Sequence, residues 1–197
     1  MATKFISGFY PQYKLHKVCA NDLLRPVMGY LYFKNGKVYA TNAHIAIAAP
    51  LSFVSSFSDE EQKLLDGKLI HATHFAELLK MRETKLGLVG ENLCFICTTK
   101  NGLTVTIPIL DEDTKGKFPN VDVVLESARA DAKKHEQPVS HVGLKMSLLA
   151  DLAAAMGASN VDLYFSSAKA AIVVEDGHGD NEIGAIIMPR PVEYPKY

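Results

Sequence analysis

The stretch GKLIHATHFAELLKMRETKLGLVGENLCFICTTKNGLTVTIPI, residues 67–109, decides the fold. GKLIHA is a short apolar run that reads as a strand. Thr73 then stands as a cap before HFAELLKM, where Phe75, Leu78 and Leu79 recur at the i, i+3, i+4 spacing of one helix face. KLGLVG, NLCFICTT and LTVTIPI alternate with the period of a strand. They are separated at Gly90-Glu91-Asn92 and at Lys100-Asn101-Gly102, sequences suited to tight hairpin turns. The order is strand, helix and three strands, a βαβββ unit.

Two other segments follow the same order. Toward the C-terminus come SHVGLK, the helical SLLADLAAAMGA, then NVDLYFSS, AAIVVED and IGAIIMPRP. Toward the N-terminus, YKLHKVCA reads as a strand, NDLLRPVMG as a helix stunted by Pro26, and YLYFKNG, KVYATN and HIAIAAPL as strands. One such unit cannot bury its apolar face alone. Units one and two therefore pair as a domain over residues 1–120, residues 121–137 (VDVVLESARADAKKHEQ) form a linker helix, and residues 138–197 form a C-terminal unit with no obvious partner. That last unit could be completed by the linker helix, by the same unit of a second chain, or within a larger ring. A further helix, SDEEQKLLDG, begins at Ser58 with acidic residues in its first turn.

The 197 residues are 48% hydrophobic, enough for a sizeable core, and 21 basic against 22 acidic residues leave a net charge of -1. Any attraction to nucleic acid must therefore come from local clustering. No run approaches the length of a membrane span and the N-terminus lacks the apolar core of a signal peptide, so the expectation is a cytoplasmic protein with no membrane partner. Cys94 and Cys97 in CFIC have the spacing of half a zinc or redox motif, but they sit on an alternating strand without a second ligand pair and read as packed strand residues.

Three motifs, in order, carry a resemblance. GKVYATNAHIAIAAP is similar to the strand pair that ends in an -ATD- turn, with Asn42 in the aspartate's place; LDEDTKGKFPNVDVVL is similar to an acidic segment closing on FPN. The C-terminal segment ends in Met188-Pro189-Arg190-Pro191-Val192, which is similar to a Met-Pro-Met-Arg-Leu signature. Together they resemble the DNA sliding clamps, specifically the bacterial DNA polymerase III β subunit. The resemblance implies an α+β, DNA clamp-like fold of three βαβββ units, the first helix stunted. It also implies a homo-oligomeric processivity factor for duplex DNA that performs no catalysis and needs no cofactor.

For the clamp's first activity, cations on the outward faces of the helices would meet phosphates without reading sequence. The candidates are Lys14, Lys17 and Arg25 around the first helix, Lys80, Arg82 and Lys85 around the second, and Arg129, Lys133 and Lys134 on the linker. Each also reads as an ordinary solvated charge. The third helix offers no cation outward, and its small residues Ala150, Ala153, Ala154 and Gly157 suit close approach by another helix or subunit. For the second activity, the resemblance places an apolar pocket for polymerase or repair-protein peptides at Met188, Pro189, Arg190 and Val192. The alternative function is thus a peptide-binding interaction module that does not encircle DNA. TNAH reads as a structural hairpin corner, since His44 has no nucleophile or acid at a useful spacing. His71 with His74, and His178 in EDGHGD, are the remaining places for a metal, each equally readable as turn or cap chemistry.

Overall fold

The computed structural model describes residues 7–22, 24–134, 142–176 and 183–190. In chain order the elements are β1 (Tyr30–Lys34), β2 (Lys37–Thr41), β3 (Ile45–Pro50), α1 (Leu51–Val54), α2 (Asp59–Leu64), β4 (Lys68–His71) and α3 (Ala72–Leu78). There follow β5 (Glu83–Val89), β6 (Asn92–Thr98), β7 (Thr104–Pro108), β8 (Leu110–Asp111), α4 (Val121–Lys134), α5 (Met146–Met156), β9 (Val161–Tyr164), β10 (Ile172–Asp176) and β11 (Gly184–Ile187).

Local chemistry sets these boundaries. Asn35 and Gly36 both adopt positive φ, 50° and 70°, which lets the chain turn tightly between β1 and β2. Ser58 begins α2 through a reciprocal capping box with Glu61. The α3 cap is His71 rather than Thr73: the imidazole accepts the Thr73 N–H at 3.3 Å, because the helix starts two residues earlier than its apolar spacing suggests. α5 stops at Gly157, which takes the left-handed conformation at φ 67°.

Eight strands form one sheet in the order β8-β4-β1-β2-β3-β11-β10-β9, and β5-β6-β7 form a second. The first strand of the middle unit, β4, pairs with β1 of the first unit. The third unit is completed by the first: β11 runs antiparallel to β3, with Gly184 opposite Ala48 and Ile187 opposite Ile45. Its expected opening strand shrinks to a bridge between Gly143 and Arg190 among the described residues. YKLHKVCA is likewise no strand. Leu15–Val18 forms a 3-10 turn, because its apolar residues Leu15 and Val18 are three apart and the turn buries both. The stunted helix is a second 3-10 turn, Pro26–Gly29, with the proline at its start.

The large sheet is buried on both faces. Ile45, Ile47 and Ala49 of β3 point into a core shared with Leu15, Val18, Phe75, Leu152, Met156 and the inner face of the small sheet. Phe9 ties that core together, with its ring 4.8 Å from Phe75, 5.1 Å from Phe57 and 5.8 Å from Phe95. Ala46 and Ala48 of the same strand point the other way, into a second core closed by Val121, Leu125, Ala128 and Ala132 of α4. The expected linker helix thus lies across the sheet, directly after the Phe118-Pro119-Asn120 segment. Cys94 and Cys97 are free, buried residues of β6.

Candidate nucleic-acid and peptide surfaces

The 3-10 turn at Leu15–Val18 packs between α3 and α5, on the face of the large sheet opposite α4. The small-residue side of α5 is occupied from within the chain. The Lys14 N–H donates to the Ala154 carbonyl at 3.0 Å, and the Tyr13 ring lies against Gly157. This packing brings Lys80 into the neighbourhood of Lys14 and Lys17, which share one turn. Lys17, Lys14 and Lys80 all act on the half-buried His16 imidazole and, after burial itself, hold its pKa below 6.5. The buried Nδ1 of His16 has no hydrogen-bond partner among the described residues. Lys17 lies 3.8 Å from Asp151 and Lys80 lies 2.7 Å from Glu77, so part of this positive charge is already compensated.

The other expected cations are scattered. Arg25 turns back to Asp22 at 3.3 Å, and Lys85 on β5 pairs with Glu83 at 2.7 Å. The Nε of Arg82 is buried without a hydrogen-bond partner among the described residues. Arg129, Lys133 and Lys134 belong to α4, so they stand across the sheet from Lys14, Lys17 and Lys80. Arg129 lies 3.4 Å from Glu175, and Lys134 lies 2.7 Å from Asp131.

The TNAH corner is built by Asn42. Its side-chain oxygen accepts the N–H groups of His44 and Ile45, each at 3.0 Å, which holds Ala43 at φ 71°, an unusual conformation for a residue with a side chain. The corner is also where the C-terminal signature arrives. The Met188 N–H donates to the His44 carbonyl at 2.8 Å, and the Arg190 N–H donates to Gly143 at 2.8 Å. Met188 is 40% exposed there, whereas Ile187 before it is fully buried. Val192 and Pro191 lie outside the described residues, as does His178. The His71 and His74 rings are 6.1 Å apart, and His71 is engaged in capping α3.

Sequence reasoning missed a trough of about 600 Å³ where β1, β2 and the start of α4 meet. Tyr32 and Tyr39 face each other across the strands, and Phe118 stacks on Tyr32 at 5.1 Å. The Tyr39 hydroxyl donates to Asp122 at 2.6 Å, and the Tyr32 hydroxyl donates to Glu112. The available signal was the alternation of tyrosines along β1 and β2, which put aromatic rings on a face whose neighbour was not yet known.

No protein-family model matches the sequence, and no curated protein matches it. The fold has counterparts among solved structures. A DNA polymerase sliding clamp from Pseudomonas aeruginosa aligns over 94% of this chain and 66% of its own, with a TM-score of 0.54 at 15% identity. The DNA polymerase III β subunit of Thermotoga maritima aligns over 97% and 66%, with a TM-score of 0.55 at 10% identity. The Bacillus subtilis sliding clamp aligns over 98% and 66%, with a TM-score of 0.57 at 8% identity. The chain therefore has the α+β sliding-clamp fold, and its resemblance to the DNA polymerase III β clamps extends over nearly all its length. It spans about two thirds of the length of those clamps.

Proposed function

We propose that the chain is a sliding-clamp-like processivity factor, an oligomer that holds duplex DNA without reading its sequence and carries out no bond chemistry. The grouping of Lys14, Lys17 and Lys80 around His16, where the 3-10 turn at Leu15–Val18 meets the end of α3 on the face of the sheet opposite α4, carries this reading. Cations there would release counterions from phosphates and give a salt-dependent, sequence-tolerant grip. Two exposed strand edges, on β7 and on β9, lack a partner among the described residues and supply hydrogen-bonding groups for joining copies. No helix among the described residues is long and apolar enough to cross a membrane.

The test is solution mass by light scattering at several concentrations, followed by retention on circular against linear duplex. A closed oligomer retained on circles alone supports the reading. A monomer at every concentration, with no salt-dependent duplex binding, ends it. A second reading is favoured by one observation, the exposure of Met188 beside the TNAH corner. There the chain would be an interaction module that binds apolar polymerase or repair-protein peptides at Met188, Pro189, Arg190 and Val192, independently of any ring.

A further inference from the structure

We propose that Asn101, in the turn between β6 and β7, is a site of spontaneous covalent modification that converts it to aspartate and isoaspartate, while Asn35 in the same dipeptide is protected by the fold. The chain carries two Asn-Gly pairs, Asn35-Gly36 and Asn101-Gly102, each at the tip of a hairpin, and all four residues are exposed. Sequence and exposure therefore do not separate them. Attachment does. The Asn35 N–H donates to the Asp66 carboxylate at 2.6 Å, and the Gly36 carbonyl accepts the Leu51 N–H at 2.8 Å. The strands behind that tip are also paired on both sides, β1 with β4 and β2 with β3, so the tip cannot move without disturbing the middle of the large sheet.

The Asn101 turn closes only on itself. The Thr99 carbonyl accepts the Gly102 N–H at 3.0 Å, the Thr99 hydroxyl oxygen accepts the Leu103 N–H at 3.0 Å, and the Thr99 N–H donates to the Leu103 carbonyl at 2.8 Å. Beyond it, β7 has β6 as its one partner among the described residues. Even a methyl group on Gly102 would meet nothing within 4 Å, so the peptide plane between Asn101 and Gly102 can turn freely. A local opening of the bond to Thr99 frees the Gly102 nitrogen. That nitrogen, after losing its proton to hydroxide, attacks the side-chain carbonyl carbon of Asn101. A carbon–nitrogen bond forms, ammonia leaves with a proton from water, and water then opens the cyclic imide at either carbonyl. Both products gain a carboxylate, and isoaspartate also inserts a methylene into the main chain of the turn that sets Thr98 opposite Thr104.

The experiment incubates the whole protein in mildly alkaline buffer, with and without guanidinium chloride, and follows both asparagines by mass spectrometry of peptides released at acid pH. In the folded protein Asn101 is expected to convert at least about tenfold faster than Asn35, and in denaturant the two rates should converge. Thr99→Val, which removes the hydroxyl acceptor of the turn, should speed the reaction at Asn101 by about threefold and leave Asn35 unchanged. The proposal is overturned if Asn101 reacts no faster than Asn35 in the folded protein, or if Thr99→Val slows it. A difference of the same size in denaturant also overturns it, because the selectivity would then belong to the neighbouring sequence and not to the fold.

Discussion

Met188 and His44 are joined by a backbone hydrogen bond of 2.8 Å, although they belong to the third and first βαβββ units. The bond fixes an exposed methionine beside a corner that Asn42 has already made rigid. Met188→Asp therefore leaves the unfolding midpoint nearly unchanged, since the side chain already meets water. The same substitution abolishes binding of an apolar peptide that would otherwise persist at high salt. Ile187→Ala, one residue earlier and fully buried, instead costs about 2–5 kcal/mol in urea unfolding.

Gly184 has a packing reason. A methyl group there would run into the δ carbons of Leu125 and approach the Arg129 guanidinium at 3.2 Å. Gly184→Ala is expected to destabilise by about 1–3 kcal/mol. Leu125→Ala in the same chain should recover part of that loss, so the double mutant is more stable than the sum of the single effects. A denaturant-melt cycle measures the coupling.

His16 makes stability depend on pH in a set direction. Its folded-state pKa lies below 6.5, so the unfolded chain takes up the proton first as pH falls. The contribution is present above about pH 6.5 and is lost progressively below it, because protons then favour the unfolded state. His71 shifts the same way, mainly through burial. Urea melts from pH 8 to pH 5 should show the decline, and His16→Gln should flatten part of it.

The two faces of the large sheet separate the DNA reading from its rivals. Lys14→Glu or Lys17→Glu should weaken duplex binding by roughly tenfold and lower the slope of affinity against salt by about one charge. Lys133→Glu, across the sheet on α4, should change neither. Fluorescence anisotropy with one duplex at several salt concentrations decides. Equal effects of the two sets would mean that the side of the sheet carrying Lys14 and Lys17 is not the contact surface.

The middle unit was legible because its signals were local. Phe75 and Leu78 repeat with the helical period, and Gly90 and Asn101-Gly102 break the strands where hairpins form. The turn at Leu15–Val18 was misread because a short apolar alternation also fits a strand. A spacing of three, with Leu15 and Val18 both buried, was the signal for a 3-10 turn. Partnership was less legible still. The pattern in Gly184–Ile187 shows a fully buried strand, but nothing in it names β3 as its neighbour, since many apolar strands satisfy the same ladder. The grouping of the cations was hard to read for a similar reason. Each lysine was visible, but the sheet decided which of them share a face.

The β3–β11 ladder also bears on how the protein is made. During synthesis β3 emerges early, and the strand that covers its edge emerges long after it. In the interval Ile45-Ala46-Ile47-Ala48-Ala49, paired with β2 on one side only, offers an uncharged open edge to any other nascent chain nearby. The ladder that unites the first and third units is thus a late, slow-forming closure.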